Sequence, residues 1–456
     1  MKAKPYPKTK PSGVEWLGDV PEHWDSVSLR RYSTRYSGGT PDRNNEAYWD
    51  EGTIPWINSG AVNQGLVVEP SAFITEEAFQ NSSAKWVSAG ALVMALAGQG
   101  KTKGMVAQMG FDSTCNQSMA AICPKPPVQA RYLYWLLVSQ YEHIRNMAGG
   151  EARDGLNLEI LGDIPCLKLP PAEQTAIAAF LDRETGRVDR LVAKKRELIE
   201  RLKEKRGALI SRTVTRGLPP AAAKAAGLPV NSSFKSSGHP WLDDIPSHWN
   251  VKRLKEVSVL VGRIGFRGYS TEDLVYEGEG AISMSPSNMA DGVVSLDKCT
   301  WLSWEKYCES PEIQVQPGDI IMVKTGSTIG KTAFVDSVPV PMTINPQLMI
   351  FKEVKCSQRF LFYLLFSKVI QDVIPLHNTG STIPTMTQEG IGKLPFPQPP
   401  LPEQTAIAAY LDAETSKLDA LVAKVEEAVE RLQEYRSALI TAAVTGKIDV
   451  RKEIPA

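Results

Sequence analysis

The stretch Ala95-Leu-Ala-Gly-Gln-Gly-Lys-Thr102 has the residue types of a phosphate-binding loop: small residues, two glycines and a Lys-Thr pair after a strand-like run. In such a loop backbone N–H groups cradle phosphates, and a helix must open at the lysine. Here Ala95 stands where the first glycine belongs, and Gly104-Met-Val-Ala-Gln-Met-Gly110 reads as a return strand. Thr325-Gly-Ser-Thr-Ile-Gly-Lys-Thr332 repeats the pattern with a threonine at the first-glycine position, and Ala333-Phe-Val-Asp336 again reads as strand. The spacing predicts two hairpin turns; a nucleotide-dependent enzyme using residues 95–102 is the alternative. Other reactive patterns fail. Asn345-Pro-Gln-Leu348 lacks the second proline and the aromatic needed for amino-methyl transfer to a base. Asp336 with Glu353 and Lys355 imitates a nuclease metal site only as any charged surface strand would. The five histidines, His23 and His248 among them, give no triad. No catalytic residue and no metal site is expected.

Basic and amide side chains offer a different chemistry. Arg30, Arg31, Arg35 and Arg43 share a window opposed only by Asp42, and Lys252, Arg253, Lys255, Arg263 and Arg267 share one opposed only by Glu256. Lys101 with Lys103, and Lys324 with Lys331, lie in glycine-rich loops without acidic neighbours. Local basic strips suffice for phosphate contact whatever the total charge. Beside them lie amides and hydroxyls that read base edges: Asn58, Ser59, Asn63, Gln64, Gln99, Asn116 and Gln117, then Ser285, Ser287, Asn288, Asn345, Gln347, His377 and Asn378. Asn and Gln pair with adenine and Arg with guanine in the major groove. Each residue alone also reads as a turn or surface side chain; the clustering in both halves carries the expectation.

The elements that hold these groups are duplicated. Trp16-Leu-Gly-Asp-Val-Pro-Glu-His-Trp24 recurs as Trp241-Leu-Asp-Asp-Ile-Pro-Ser-His-Trp249. Ala172-Glu-Gln-Thr-Ala-Ile-Ala-Ala-Phe-Leu-Asp182 recurs as Pro402-Glu-Gln-Thr-Ala-Ile-Ala-Ala-Tyr-Leu-Asp412. Short β-type runs broken by Gly, Asn and Pro (91–96, 67–74, 320–323, 332–335) and one apolar helix per half (132–139, 360–367) make each half an α+β domain. The boundaries are an N-terminal tail at 1–20, globular segments at 21–165 and 246–395, helical regions at 166–216 and 396–447, a linker at 217–245 rich in Ala, Pro, Ser and Gly, and a tail at 448–456. Six scattered cysteines with no C-x-x-C pair read as reduced core thiols, and no apolar run is long enough to span a membrane, so a cytoplasmic protein is expected.

Both helical regions carry narrow apolar stripes. Ile177, Leu181, Val188, Leu191, Leu198, Leu202 and Leu209 form the first; Ile407, Leu411, Leu418, Leu421, Val425, Leu432 and Leu439 form the second, with Ala428 and Tyr435 continuing it. A stripe sustained for about five heptads predicts a coiled-coil seam. Residues 171–216 hold 12 basic and 7 acidic side chains, and residues 401–447 hold 5 and 8. Opposite signs on two copies of one element favour pairing with each other, which predicts an antiparallel pair; two helices solvated in separate domains is the other reading. A chain with zero formal charge thereby divides into 29 basic and 24 acidic residues over 1–225, against 22 and 27 over 226–456.

The duplicated Trp-Leu-x-Asp-[Val/Ile]-Pro-x-His-Trp opening, the Glu-Gln-Thr-Ala-Ile-Ala-Ala-aromatic-Leu-Asp helix start and the two-half order resemble the specificity subunit of type I restriction–modification enzymes, over essentially the whole chain. The resemblance implies two pseudo-symmetric target recognition domains, each reading one part of a bipartite asymmetric sequence in double-stranded DNA. It implies that the helices act as spacer and dock methyltransferase and restriction subunits of a phage-defence complex. It also implies that S-adenosylmethionine, ATP and Mg²⁺ reside on those partner chains, this chain carrying no cofactor and no catalysis. An adaptor that binds partners without reading DNA is the remaining alternative.

Overall fold

The computed structural model describes residues 4–98, 100–147, 155–242, 244–263, 268–378, 380 and 383–451. Two compact units divide the chain: Met1–Arg196 with Glu427–Ala456, and Glu197–Glu426. Each takes the beginning of one long helix and the end of the other, Pro171–Arg216 and Leu401–Val444.

In the first unit a mixed five-stranded sheet runs in the order Ser33–Ser37, Met119–Pro124, Leu92–Ala95, Val106–Met109, Leu66–Val67. A four-stranded sheet runs Ala72–Ile74, Ile54–Ile57, Ser113–Cys115, Trp86–Val87. Alternation along Leu92–Ala95 explains why this strand is apolar throughout. Leu92 and Met94 pack on Leu133, Leu136 and Leu137 of the helix Ala130–Ser139 and on Ile177 and Leu181 of the long helix. Val93 and Ala95 face Ile57, Val87 and Cys115 of the other sheet. A strand covered on both faces must read as a continuous apolar run.

The second unit repeats this plan. Six strands run Val259–Val261, Leu348–Lys352, Ile320–Val323, Thr332–Phe334, Val293–Val294, Met289–Ala290, and four run Leu274–Val275, Thr300–Leu302, Ala281–Met284, Met342–Ile344. The helix Gln358–Phe366 covers the larger sheet with Phe360, Leu361, Leu364 and Leu365. The duplicated α+β architecture expected from the repeats is the observed one.

Three local expectations change. The strand-like run 67–74 is two strands in different sheets, Leu66–Val67 and Ala72–Ile74, because Glu69-Pro70 interrupts the ladder. The stretch 217–245 is no free linker: Leu218, Ala223 and Leu242 enter the second unit's core, and Pro220–Ala225 is a short helix. Both terminal segments are built in as well, since Tyr6, Leu17 and Val450 are buried in the first unit's core. The two ends therefore complete the first unit as the central stretch completes the second. Gly446 (φ +72°) seats against Pro21 and Trp24, and Gly217 (φ +78°) against Trp249 and Glu403; a Cβ at either would collide, and left-handed φ favours glycine there.

The long helices bury a seam one residue off the expected one at several points. In the first unit Val188 and Val192 meet Val429 and Leu432, and Arg436 donates to Asp189 at 2.9 Å. In the second, Arg206 pairs with Asp419 at 2.9 Å, and Ile210 shares a core with Ile407 and Leu411. Ile177, Leu181, Val188, Ile407, Leu411 and Leu418 are buried as expected, and Leu202, Leu209, Val425, Leu432 and Leu439 are half-buried. Leu191, Leu198 and Leu421 instead stand 42%, 44% and 48% exposed, while Val192, Ile199 and Val429 beside those registers are buried.

Candidate nucleic-acid interface

Loops can present side chains to a polymer only if their domain is anchored, and the repeated motifs are that anchor. The Glu173 carboxylate is buried at the start of the first long helix, where it accepts from the Trp24 indole at 3.0 Å and the Tyr6 hydroxyl at 3.1 Å and lies 2.8 Å from His23 Nε2. Glu403 repeats the arrangement with the Trp249 indole at 3.1 Å, His248 at 2.8 Å and the Asn231 amide at 3.2 Å. The neighbouring glutamines serve the globular part: Gln174 accepts from Gln129 N and Gln404 from Ser357 N, both at 2.8 Å, at the starts of the core helices. Asp182 then receives Arg131 (2.7 Å) and the Trp135 indole (2.9 Å); Asp412 receives Arg359 (3.1 Å) and the Tyr363 hydroxyl (2.6 Å). The Glu, Gln and Asp of the repeated motif thus each tie a long helix to the rest of its unit, while Thr175 and Thr405 bond back to their own helix. His23 and His248, unassigned in sequence, belong to these knots.

The basic windows do not form continuous strips. Arg30 pairs with Asp163, and Arg31 is exposed near Lys10 and Lys168 where Asp25–Ser28 pairs with Pro165–Lys168. Arg35 is half-buried beside Arg30, bonds Ser33, and leaves its Nε without a partner; burial and the neighbouring Arg30 push its pKa down. Lys252, Arg253 and Lys255 are exposed at the corresponding junction of the second unit, Arg253 paired with Glu256 at 3.1 Å. These groups flank the β-pair that leads into the long helix of each unit.

Several expected contacts are structural. Arg263 is only 4% exposed and donates to Ile344 O and Thr343 Oγ1. A guanidinium held inside the fold cannot serve as a surface phosphate contact. Lys103 is buried as well, and Asn116 is 9% exposed with its Oδ1 unpartnered. Lys331 donates to Pro286 O, and Asn378 accepts from Gly380 N and Thr385 N to hold its loop. Asn288 is consumed by Ser295 O and Lys298 O. Gln99 and Arg267 lie outside the described residues. Lys324 is half-buried, and desolvation lowers its pKa.

Lys101 and Arg43 each border a recess. Lys101 is exposed and borders a 430 Å³ cavity with Asn63, Gln64, Tyr134, Tyr141 and Arg436. Arg43 is exposed and lies 5.7 Å over the Trp56 ring, beside a second recess formed with Trp49, Asn58 and Ser71. Trp49, Trp56 and Ser71 were not singled out from sequence. The available signal was two tryptophans seven residues apart with Pro55 between them.

The strands on either side of each glycine-rich loop pair as a hairpin. Leu92–Ala95 returns through Val106–Met109 antiparallel, and Ile320–Val323 through Thr332–Phe334. Without a helix opening at Lys101 or Lys331 the backbone lacks the N–H cradle of a nucleotide site, which removes the structural basis of the nucleotide-enzyme alternative. Among the described residues no group of three or more His, Cys, Asp or Glu could hold a metal ion, and no single helix is long and apolar enough to cross a membrane.

Comparison with known proteins gives a consistent result. Residues 21–201 and 246–431 match the family model described as the type I restriction modification DNA specificity domain. The chain is 22% identical over 443 residues, 95% of this chain and 94% of the relative, to the type I restriction enzyme MjaVIII specificity subunit of Methanocaldococcus jannaschii. It is 32% identical over 142 residues, 30% of this chain and 32% of the relative, to the EcoR124I/EcoR124II specificity subunit of Escherichia coli. Among solved structures it is similar to a chain from work on complex assembly and conformational transition of the type I R-M system, with TM-score 0.70 at 18% identity, covering 93% of this chain and 98% of that one. The HsdS subunit from Thermoanaerobacter tengcongensis gives TM-score 0.50 at 17% identity, covering 94% and 98%.

Proposed function

The chain belongs to the type I restriction–modification DNA specificity family and is a non-catalytic specificity subunit, and from that premise we propose how it divides the work. Each globular half reads one part of a bipartite, asymmetric target in duplex DNA. The paired long helices carry the docking surface for methyltransferase subunits and, through them, restriction subunits. S-adenosylmethionine, ATP and Mg²⁺ act on those partner chains, and the complex works in the cytoplasm.

The observation that carries this reading is the duplication itself: two units on one plan of a larger and a four-stranded sheet, each with a covering core helix and the same Glu–Trp–His knot, both matched by one family model. Two similar readers in one chain suit a target with two parts; one reader would suffice for a contiguous site. Recognition chemistry is assigned to the exposed Arg43, Lys101 and Asn58 of the first half, and phosphate contact to Arg31, Lys252 and Lys255. Zero net charge suits a subunit that binds DNA weakly alone and relies on partner chains for the rest of the clamp.

The test is gel shift with the chain assembled with its methyltransferase subunit on duplexes drawn from the host methylation map. The expected result is preference for a two-part sequence, with substitutions in either part weakening binding. Absence of sequence preference at moderate salt would favour the adaptor alternative.

A further inference from the structure

Resting on the recognition reading above, we propose that Arg43 is a specificity-determining residue that reads a guanine in the first part of the target. Its turn is unusually well fixed. At Gly38 a Cβ would lie 2.0 Å from Cys115 O and at Gly39 2.4 Å from Ala84 N, so the chain runs flush against neighbouring backbone before it turns outward. The Trp49 indole donates to Asp42 O at 3.0 Å, Asn44 N donates to Asp42 Oδ1 at 2.9 Å, and the Trp56 indole donates to Gly39 O at 3.0 Å. Trp49 packs edge-on against Trp56 at 5.2 Å. Arg43 projects from this turn with its guanidinium over the buried Trp56 ring. Unlike Arg30 and Arg253, it has no carboxylate partner among the described residues. A guanidinium held 5.7 Å over an indole face is restricted before any ligand arrives, which lowers the ordering cost of a bidentate contact.

The recess beside it, 340 Å³ in volume, specifies what the fork meets. The Asn58 Oδ1 accepts from Gly60 N, and the side chain is exposed, so its amide N–H groups are available to donate to a ligand. The Ser71 oxygen accepts from Asn58 N, which leaves its O–H free to donate. Arg43, Asn58 and Ser71 therefore present donors around flat indole walls, and no carboxylate lines the recess. In the major groove guanine offers two adjacent acceptors, N7 and O6, whereas adenine sets a donor beside its acceptor. A guanidinium fork flanked by an amide and a hydroxyl that can donate, beside an aromatic wall, fits the guanine edge. A phosphate is also rich in acceptors, but contact with it needs neither the recess nor a fixed fork, and the two differ in a measurable way.

The experiment uses the full chain assembled with its methyltransferase subunit, and duplexes carrying every single-base change in the first part of the target. Arg43→Ala is expected to lose about 10–100-fold of discrimination at one G·C position. The second part should remain fully discriminated, and the dependence of affinity on salt unchanged. Arg43→Lys should recover part of the discrimination at that same position. Because Arg43 is exposed, the thermal transition of the variant should match that of the wild type, which separates recognition from folding. Retained discrimination at every position would overturn the assignment. So would uniform weakening with a shallower salt dependence, which identifies a phosphate contact. If the wild-type complex itself shows no sequence preference, the recognition reading fails first and this assignment with it; preference in the wild type with an indifferent Arg43→Ala sinks the assignment alone.

Discussion

A buried carboxylate is tolerable only when its lone pairs are used, and Glu173 and Glu403 each meet that condition with an indole N–H and a histidine ring. Replacing Glu173 by Ala leaves the Trp24 N–H buried without an acceptor, at a cost of about 1–3 kcal/mol. Hydrogen exchange should quicken around residues 19–25 and 171–177 while residues 245–249 keep their protection, and Glu403→Ala should give the converse; unchanged exchange in both would deny the knots a stabilising role. Lys324 supplies a contrast, because it occupies the position of the core residue Leu96 in the other half of the repeat. Burial depresses its pKa, so below that pKa the folded state carries a desolvated ammonium that the unfolded state does not. The wild type therefore gains stability as pH rises through the depressed value toward the unfolded value of about 10.4. Lys324→Met should be the more stable at pH 7, by about 1 kcal/mol or less since much of the side chain is still wet, and the gap should close above about pH 10.4. Thermal melts at the two pH values check the sign. At this scale little was legible in advance. The Glu-Gln and His-Trp motifs were visible as repeats, but each Glu lies 149 to 155 residues from the Trp and His it bonds. Arg263 and Arg43 look alike in a local window, and only the fold buries one and displays the other.

The long helices show how an element can be right in kind and wrong in register. A 4-3 alternation from Leu181 runs through Thr185, Val188, Val192, Lys195, Ile199 and Leu202, all buried or half-buried. Choosing Leu191 and Leu198 over the adjacent Val192 and Ile199 gives a seam one residue off, because both members of each pair are apolar and the slot that would separate the two registers, Glu184 or Thr185, is polar either way. The same competition separates Leu421 from Val422 in the second helix. Helix existence, length and ends were legible because periodicity and Pro/Gly punctuation are local; the facing partner that fixes register is not. Two predictions divide the faces. Val192→Ala should destabilise the first unit by about 1–2 kcal/mol in denaturant titration, and Leu191→Ala should stay within about 0.5 kcal/mol of wild type. In contrast, Leu191→Ala should weaken co-purification of the methyltransferase subunit, the exposed leucine being the expected contact. Unchanged co-purification would move that contact elsewhere on the helix.

For the chain as a whole, the zero charge conceals an asymmetry of +5 and −5 between halves while the fold beneath is nearly the same. Both globular segments attach to their long helices through one set of bonds: a β-pair (Asp25–Ser28 with Pro165–Lys168, Asn250–Arg253 with Pro395–Gln398), a Gln to the core helix, and an Asp to an Arg and an aromatic. Interchangeable attachment predicts interchangeable readers. Replacing residues 25–168 by residues 250–398 keeps Trp24, Glu173, Gln174 and Asp182 in place and supplies Arg359 and Tyr363 to the Asp182 carboxylate in the roles of Arg131 and Trp135. The chimera should fold, retain its methyltransferase subunit, and direct methylation to sites containing the second part of the target twice, with the first part no longer read. Methylation mapping in cells expressing the chimera decides the matter. Continued dependence on the original first part would mean that residues outside the exchanged segment read it. A well-folded chimera that had also lost preference for the second part would mean that neither half reads independently, and the two-reader organisation would have to be abandoned.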